Sequence, residues 1–166
     1  MDATAVLVTA EDDKDELDIR FSDLDPTGEL RKVAGDRLIV LPMENLGGAF
    51  PLVQMRAGEA GPSSKWRALA TALSELPRLR LLVFDTLNAH LHGDENSATV
   101  VADFFRIMGP VLSGLKVASI ITHHVRKAGP IPVRNADEMR AAIRGSSALI
   151  GNIPRRDRSV GSSRLR

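Results

Sequence analysis

Three residues that can do chemistry each follow an apolar run. Glu11 closes Val6-Leu7-Val8-Thr9-Ala10-Glu11, Asp85 closes Leu81-Leu82-Val83-Phe84-Asp85, and His123-His124 follow Ser119-Ile120-Ile121-Thr122. A carboxylate that ends a buried strand can meet a hydrated magnesium ion beside phosphates, often through water. A glutamate at a neighbouring strand end can orient and deprotonate a water molecule. A histidine at the next strand end can contact or sense the phosphate under attack. Taken singly, each residue also has an ordinary structural role. Asp85 is placed to cap a helix, Glu11 to be an exposed first-turn acid, and His123 and His124 to be packed or surface histidines. A second constellation, His90-Leu91-His92-Gly93-Asp94, has the spacing of zinc ligands, and His123 and His124 could complete it. In its structural alternative, His90 and His92 lie in a polar loop, and Asp94 caps a helix that begins at Glu95.

Strands and helices must alternate to bring such groups together. Residues 4–10, 37–42, 79–85 and 116–122 are nearly continuous in apolar residues, as expected of strands covered on both faces of a parallel sheet. Between them lie helical patterns. Residues 12–24 start acidic, which complements a helix N-terminus. Residues 63–76 start at a serine cap and put Trp66, Leu69, Ala70, Leu73 and Leu76 on one face. Residues 95–115 repeat Val100, Val101, Phe104, Phe105, Met108, Val111, Leu112 and Leu115 at helical spacing, with Gly109-Pro110 expected to kink the helix or end it early. The Gly/Pro-rich stretches 43–62 and 125–137 read as irregular connections. The alternation predicts an α/β fold with a parallel sheet. In such sheets functional groups collect at the carboxyl ends of the strands, where Glu11, Asp85 and His124 fall.

The 166 residues suit one domain, with 43% hydrophobic and 26% charged residues. There is no cysteine, which excludes a disulfide framework and thiolate metal sites. No apolar run near 18 residues and no charged-then-apolar leader stand out, so a cytoplasmic protein with no membrane contact is expected. Five arginines against Asp157 give residues 152–166 a charge of +4, leaving −3 on the rest of a chain whose total is +1. A basic end of this kind can meet nucleic acid or remain a solvated tail. The division expected is a core over 1–153 and a basic, disordered tail over 154–166.

The segments VLVTAEDD (6–13), LLVFDTL (81–87), GDENSA (93–98), ITHHVRK (121–127) and RGSSAL (144–149) resemble, in order and spacing, the RecA-like ATPases of the RepA-type replicative helicase branch, within the AAA-type ATPases. The resemblance spans roughly residues 4–150. It implies a three-layer RecA-like fold, with a mostly parallel sheet and helices on both faces. It also implies ATP and Mg²⁺ as cofactors, and DNA and other ATPase subunits, of its own kind or intact, as partners. By resemblance, Glu11 is the catalytic glutamate, Asp85 the magnesium-side aspartate and His124 the γ-phosphate sensor. Thr86, His123, Arg144 and Ser146 would line the cofactor site. Residues 125–143, with Arg126, Lys127, Arg134 and Arg140, would form the loop facing DNA. Arg155 and Arg156 stand nearest to where the family places an arginine finger. The family's phosphate loop, Gly-x-x-x-x-Gly-Lys-Ser/Thr, does not occur in these 166 residues. The expectation is therefore an N-terminally truncated copy of the fold.

Two other readings stand beside this one. One is a non-catalytic module that binds an ATPase partner or DNA. The other is a zinc-dependent hydrolase using His90, His92, His123 and His124, since the His-x-His-x-Asp spacing resembles metallo-β-lactamase-like hydrolases. Glu95 stands where that family has a histidine.

Overall fold

The computed structural model describes residues 3–124. Among these, strands β1 (Thr4–Thr9), β2 (Leu38–Pro42), β5 (Leu79–Asp85) and β6 (Ala118–Ile121) form one sheet in the order β2-β1-β5-β6. Every pairing in it is parallel. The fold is thus the expected α/β arrangement of a parallel central sheet with helices around it. All four strands expected from apolar runs are present.

The core lies on one face of the sheet. Val6 and Val8 of β1 pair in register with Leu82 and Phe84 of β5, and all four are fully buried. Helices α3 (Ser64–Glu75) and α5 (Ala98–Leu115) supply Trp66, Leu69, Leu73, Val101, Phe104 and Met108 to the same core. Trp66 meets the Phe84 ring edge-on at 6.1 Å between centroids. As expected, Ser63 caps α3, its side chain accepting from the Trp66 N–H at 3.0 Å. Helix α1 (Lys14–Leu24) is capped in the same way by Asp13, which accepts from the Glu16 N–H at 2.8 Å.

Several expectations require correction. Helix α5 starts at Ala98 behind a Ser97 cap; Asp94 instead folds back onto the Asn96 N–H at 2.8 Å in a local turn. Gly109-Pro110 does not end α5, because Val111, Leu112 and Leu115 beyond it still pack against the core. Over its 18 residues α5 is long and apolar enough for a membrane span by length and composition, although no such run was expected; its Val101, Phe104, Ile107 and Met108 belong to the core. Residues 43–62 are not wholly irregular. They contain the hairpin of β3 (Val53–Arg56) and β4 (Glu59–Pro62), turned by Ala57 and Gly58, both at positive φ. The usual Asn-Gly or Asp-Gly signal is missing there, so the turn gives little sign of itself. Arg106 of α5 donates to the Ala60 carbonyl at 3.2 Å and ties the hairpin to the helix. A short helix α2 (Glu29–Ala34) and two 3₁₀ turns flank β2, and a single-turn helix α4 (Leu87–His90) follows β5. Strand β6, read as covered on both faces, is largely exposed among the described residues: Ala118 and Ser119 are exposed, and Ile120 is 52% exposed.

Candidate active site

Parallel pairing brings the ends of β1, β5 and β6 side by side. Thr9 lies in register with Asp85, and Phe84 with Ile121. The residues just past those ends meet. Glu11 Oε1 accepts a hydrogen bond from Thr86 Oγ1 at 3.1 Å and lies 2.8 Å from His124 Nε2. The imidazole can donate from Nε2 either protonated or as the neutral tautomer carrying that hydrogen. Glu11 and His124 are each about half exposed, at 42% and 48%, so the pair opens to solvent. Thr86 is 5% exposed, and its hydroxyl is committed to Glu11.

Asp85 sits one strand position back from this pair. Its Oδ2 accepts from Thr9 Oγ1 at 3.4 Å, and its Oδ1 accepts from Thr122 Oγ1. The main chain is held as well. Ala10 N–H donates to the Asp85 carbonyl at 2.7 Å, Thr122 N–H to the Phe84 carbonyl at 3.0 Å, and Leu87 N–H to the Thr122 carbonyl at 2.9 Å. The Asp85–Thr86 peptide is cis.

A third carboxylate, Asp12, joins the group and was not singled out in the sequence. It is 9% exposed and bonds Arg20 at 2.8 Å. Burial pushes its carboxyl above the ordinary range, Arg20 opposes this, and the charges of Glu16, Asp85 and Glu11 add to the rise. Its only sequence signal is its place after Glu11. Thr9 and Thr122 carried no signal either, since threonine is common in strands. Arg144 and Ser146, together with the 125–143 stretch and the basic tail, lie outside the described residues.

The four-histidine zinc site is not formed. No three histidine, aspartate or glutamate side chains among the described residues gather into a metal-holding group. His90 does not lie in a polar loop. Carried by α4, it is fully buried with its ring edge-on to Phe84 at 5.3 Å between centroids, and neither ring nitrogen has a hydrogen-bond partner. Burial lowers its pKa to about 4; the nearby Phe50 backbone, without a well-formed hydrogen bond, and the Asp85 charge act weakly against it. His124, at the other end of the expected set, is committed to Glu11. A cavity of about 450 Å³ lies away from these groups, between α1, α2 and β2, lined by Leu17, Phe21, Arg31, Leu38 and Val40 among others, and includes none of Glu11, Asp85, Thr86 or His124.

Glu11, Asp85 and His124 gather at the carboxyl edge of the parallel sheet with Asp12 beside them, an arrangement in keeping with an ATPase-type domain of the AAA and RecA-like kind. A family model described as an AAA domain matches residues 2–130, and the chain belongs to that family. No curated protein matches the chain significantly.

Proposed function

We propose that this chain carries the hydrolysis side of an ATPase domain of the RepA-type replicative helicase branch, which couples ATP hydrolysis to DNA binding. One observation supports this most: Glu11, Thr86 and His124 meet beside Asp85 at the carboxyl ends of three adjacent strands. Mg²⁺ is held by one or two carboxylates together with waters and substrate phosphates, not by an all-protein cage. A strand-end aspartate, with no three-ligand cluster near it among the described residues, fits that demand. Bound Mg²⁺·ATP supplies the γ-phosphoryl group and the charge-neutralising cation.

In this reading Asp85 faces the metal, Glu11 accepts a proton from the attacking water, and His124 contacts the γ-phosphate. Thr86 holds Glu11 in place. His123, Arg144 and Ser146 stand around the cofactor. DNA and further ATPase subunits are the proposed partners, with Arg126, Lys127, Arg134 and Arg140 toward DNA. The phosphate-cradling backbone is not among these residues, so nucleotide binding by this chain alone is expected to be weak.

The test is a titration of Mn²⁺·ATP into the full chain, followed by the paramagnetic resonance of free Mn²⁺. Binding should be weak but measurable, and Asp85→Asn should lower it while metal-free ATP binds as before. Equal Mn²⁺·ATP binding by Asp85→Asn and the unaltered chain would overturn the assignment. A fluorescence titration with single-stranded DNA tests the partner: affinity should fall steeply with salt.

A further inference from the structure

We infer that Thr122 and Thr9 are positioning residues for Asp85, each holding one oxygen of its carboxylate from a flanking strand. β5 lies between β1 and β6. Register places Thr9 directly beside Asp85 on one side and, one step beyond Ile121, Thr122 on the other. Thr9 is fully buried, so its hydroxyl needs a protein partner, and the carboxylate oxygen Oδ2 at 3.4 Å is the one it has.

Thr122 has two acceptors within reach, Asp85 Oδ1 and the Phe84 carbonyl at 3.3 Å. A hydroxyl carries one proton, and a charged acceptor makes the stronger bond, so the proton goes to the carboxylate. Thr122 presents that hydroxyl from a fixed backbone, because its own N–H donates to the Phe84 carbonyl of β5 at 3.0 Å and its carbonyl accepts from the Leu87 N–H of α4 at 2.9 Å. Each carboxylate oxygen thus accepts one hydroxyl bond and keeps a lone pair free. The side chain is held in one orientation before any metal arrives. Groups behind metal-binding carboxylates act in this way by fixing their orientation.

The functional consequence rests on the reading of Asp85 as the magnesium-side residue; the orientation itself does not. The experiment therefore has two arms on the full chain. In the first, NMR side-chain couplings report the χ1 rotamer of Asp85. One rotamer is expected in the unaltered chain, averaging in Thr122→Val and in Thr9→Val, and a return to one rotamer in Thr122→Ser. Thr122→Ala replaces Thr122→Val if the latter does not fold. A single Asp85 rotamer persisting without either hydroxyl overturns the inference. In the second arm, Thr122→Val should lower Mn²⁺·ATP affinity by about 10-fold, a usual effect of losing such a partner. Thr122→Ser should restore it, with metal-free ATP unaffected throughout. Unchanged affinity in Thr122→Val, where Asp85→Asn does lose it, also overturns the inference. Unchanged affinity in Asp85→Asn overturns the magnesium-side reading instead, and the rotamer arm then decides whether the threonines position Asp85.

Discussion

His124 Nε2 stands 2.8 Å from Glu11 Oε1, although 113 positions separate them in the chain. The pair spans β5, since Glu11 follows β1 and His124 follows β6. Both side chains are about half exposed, so solvent screens their attraction and they add little to stability. We expect His124→Ala to change unfolding free energy by less than about 1 kcal/mol in urea titrations. A loss well above that would make the contact a structural one.

Hydrolysis should follow the same division. The Lys and backbone N–H groups of a phosphate loop position the β- and γ-phosphates, and the motif that supplies them is absent from these residues. Without it Glu11 faces no fixed substrate. Phosphate release by the full chain should stay well below about 1 per second, the low end of ordinary enzyme turnover. A rate near that value, abolished in Glu11→Gln, contradicts the expectation.

Acid should weaken the fold through His90. Its pKa in the folded chain is lowered from 6.5 to about 4. Above pH 6.5 the imidazole is neutral in both states and the full stability is present. As pH falls from 6.5 toward 4, the unfolded chain takes up a proton that the folded chain resists, so stability is lost across that window. The loss attributable to His90 is at most about 3 kcal/mol. His90→Leu removes two buried nitrogens without partners and should raise stability at pH 7 by about 1–3 kcal/mol. Denaturant midpoints at pH 7 and pH 4.5 for both chains measure this; an equally steep acid decline in His90→Leu would assign it to other groups.

The start of α5 offers a local test. Ser97 accepts from the Val100 N–H at 3.4 Å, while Asp94 bonds Asn96 in the turn before it. Ser97→Ala should cost about 1 kcal/mol. Asp94→Ala, by contrast, should leave α5 in place as read by amide exchange of Val100 and Val101. Faster exchange there in Asp94→Ala than in Ser97→Ala would return the cap to Asp94.

Strand β6 is an edge of the sheet among the described residues, with Ile120 52% exposed. Apolar edge strands invite pairing with other chains, and a lysine on the edge opposes it. We expect the chain to associate with rising concentration and to bind a hydrophobic dye, and Ile120→Lys to reduce both. Sedimentation velocity showing a monomer at all concentrations, unchanged by Ile120→Lys, would mean that this edge is covered.

Some of this molecule could be read directly from its sequence. Apolar runs marked the four sheet strands, because strands of a helix-covered sheet are apolar along their length, although β6 is largely exposed among the described residues. Glu11, Asp85 and His124 stood out because each ends such a run, and parallel strands carry their ends to one edge. Local caps were legible where the capping residue adjoins its helix, as Ser63 does. Other features depended on partners far away in the chain. Thr122 meets Asp85 only because β6 pairs with β5 in one register, and a shift of one residue would turn it to the other face. His90 is buried because α4 folds back against Phe84 and Leu52, whose N–H bonds the His90 carbonyl at 3.0 Å, whereas its sequence neighbours His92, Gly93 and Asp94 suggested a polar loop. Pro110 stays helical because the core grips the residues after it. Residue patterns carry local backbone preference and burial. Strand order and register decide which side chains touch.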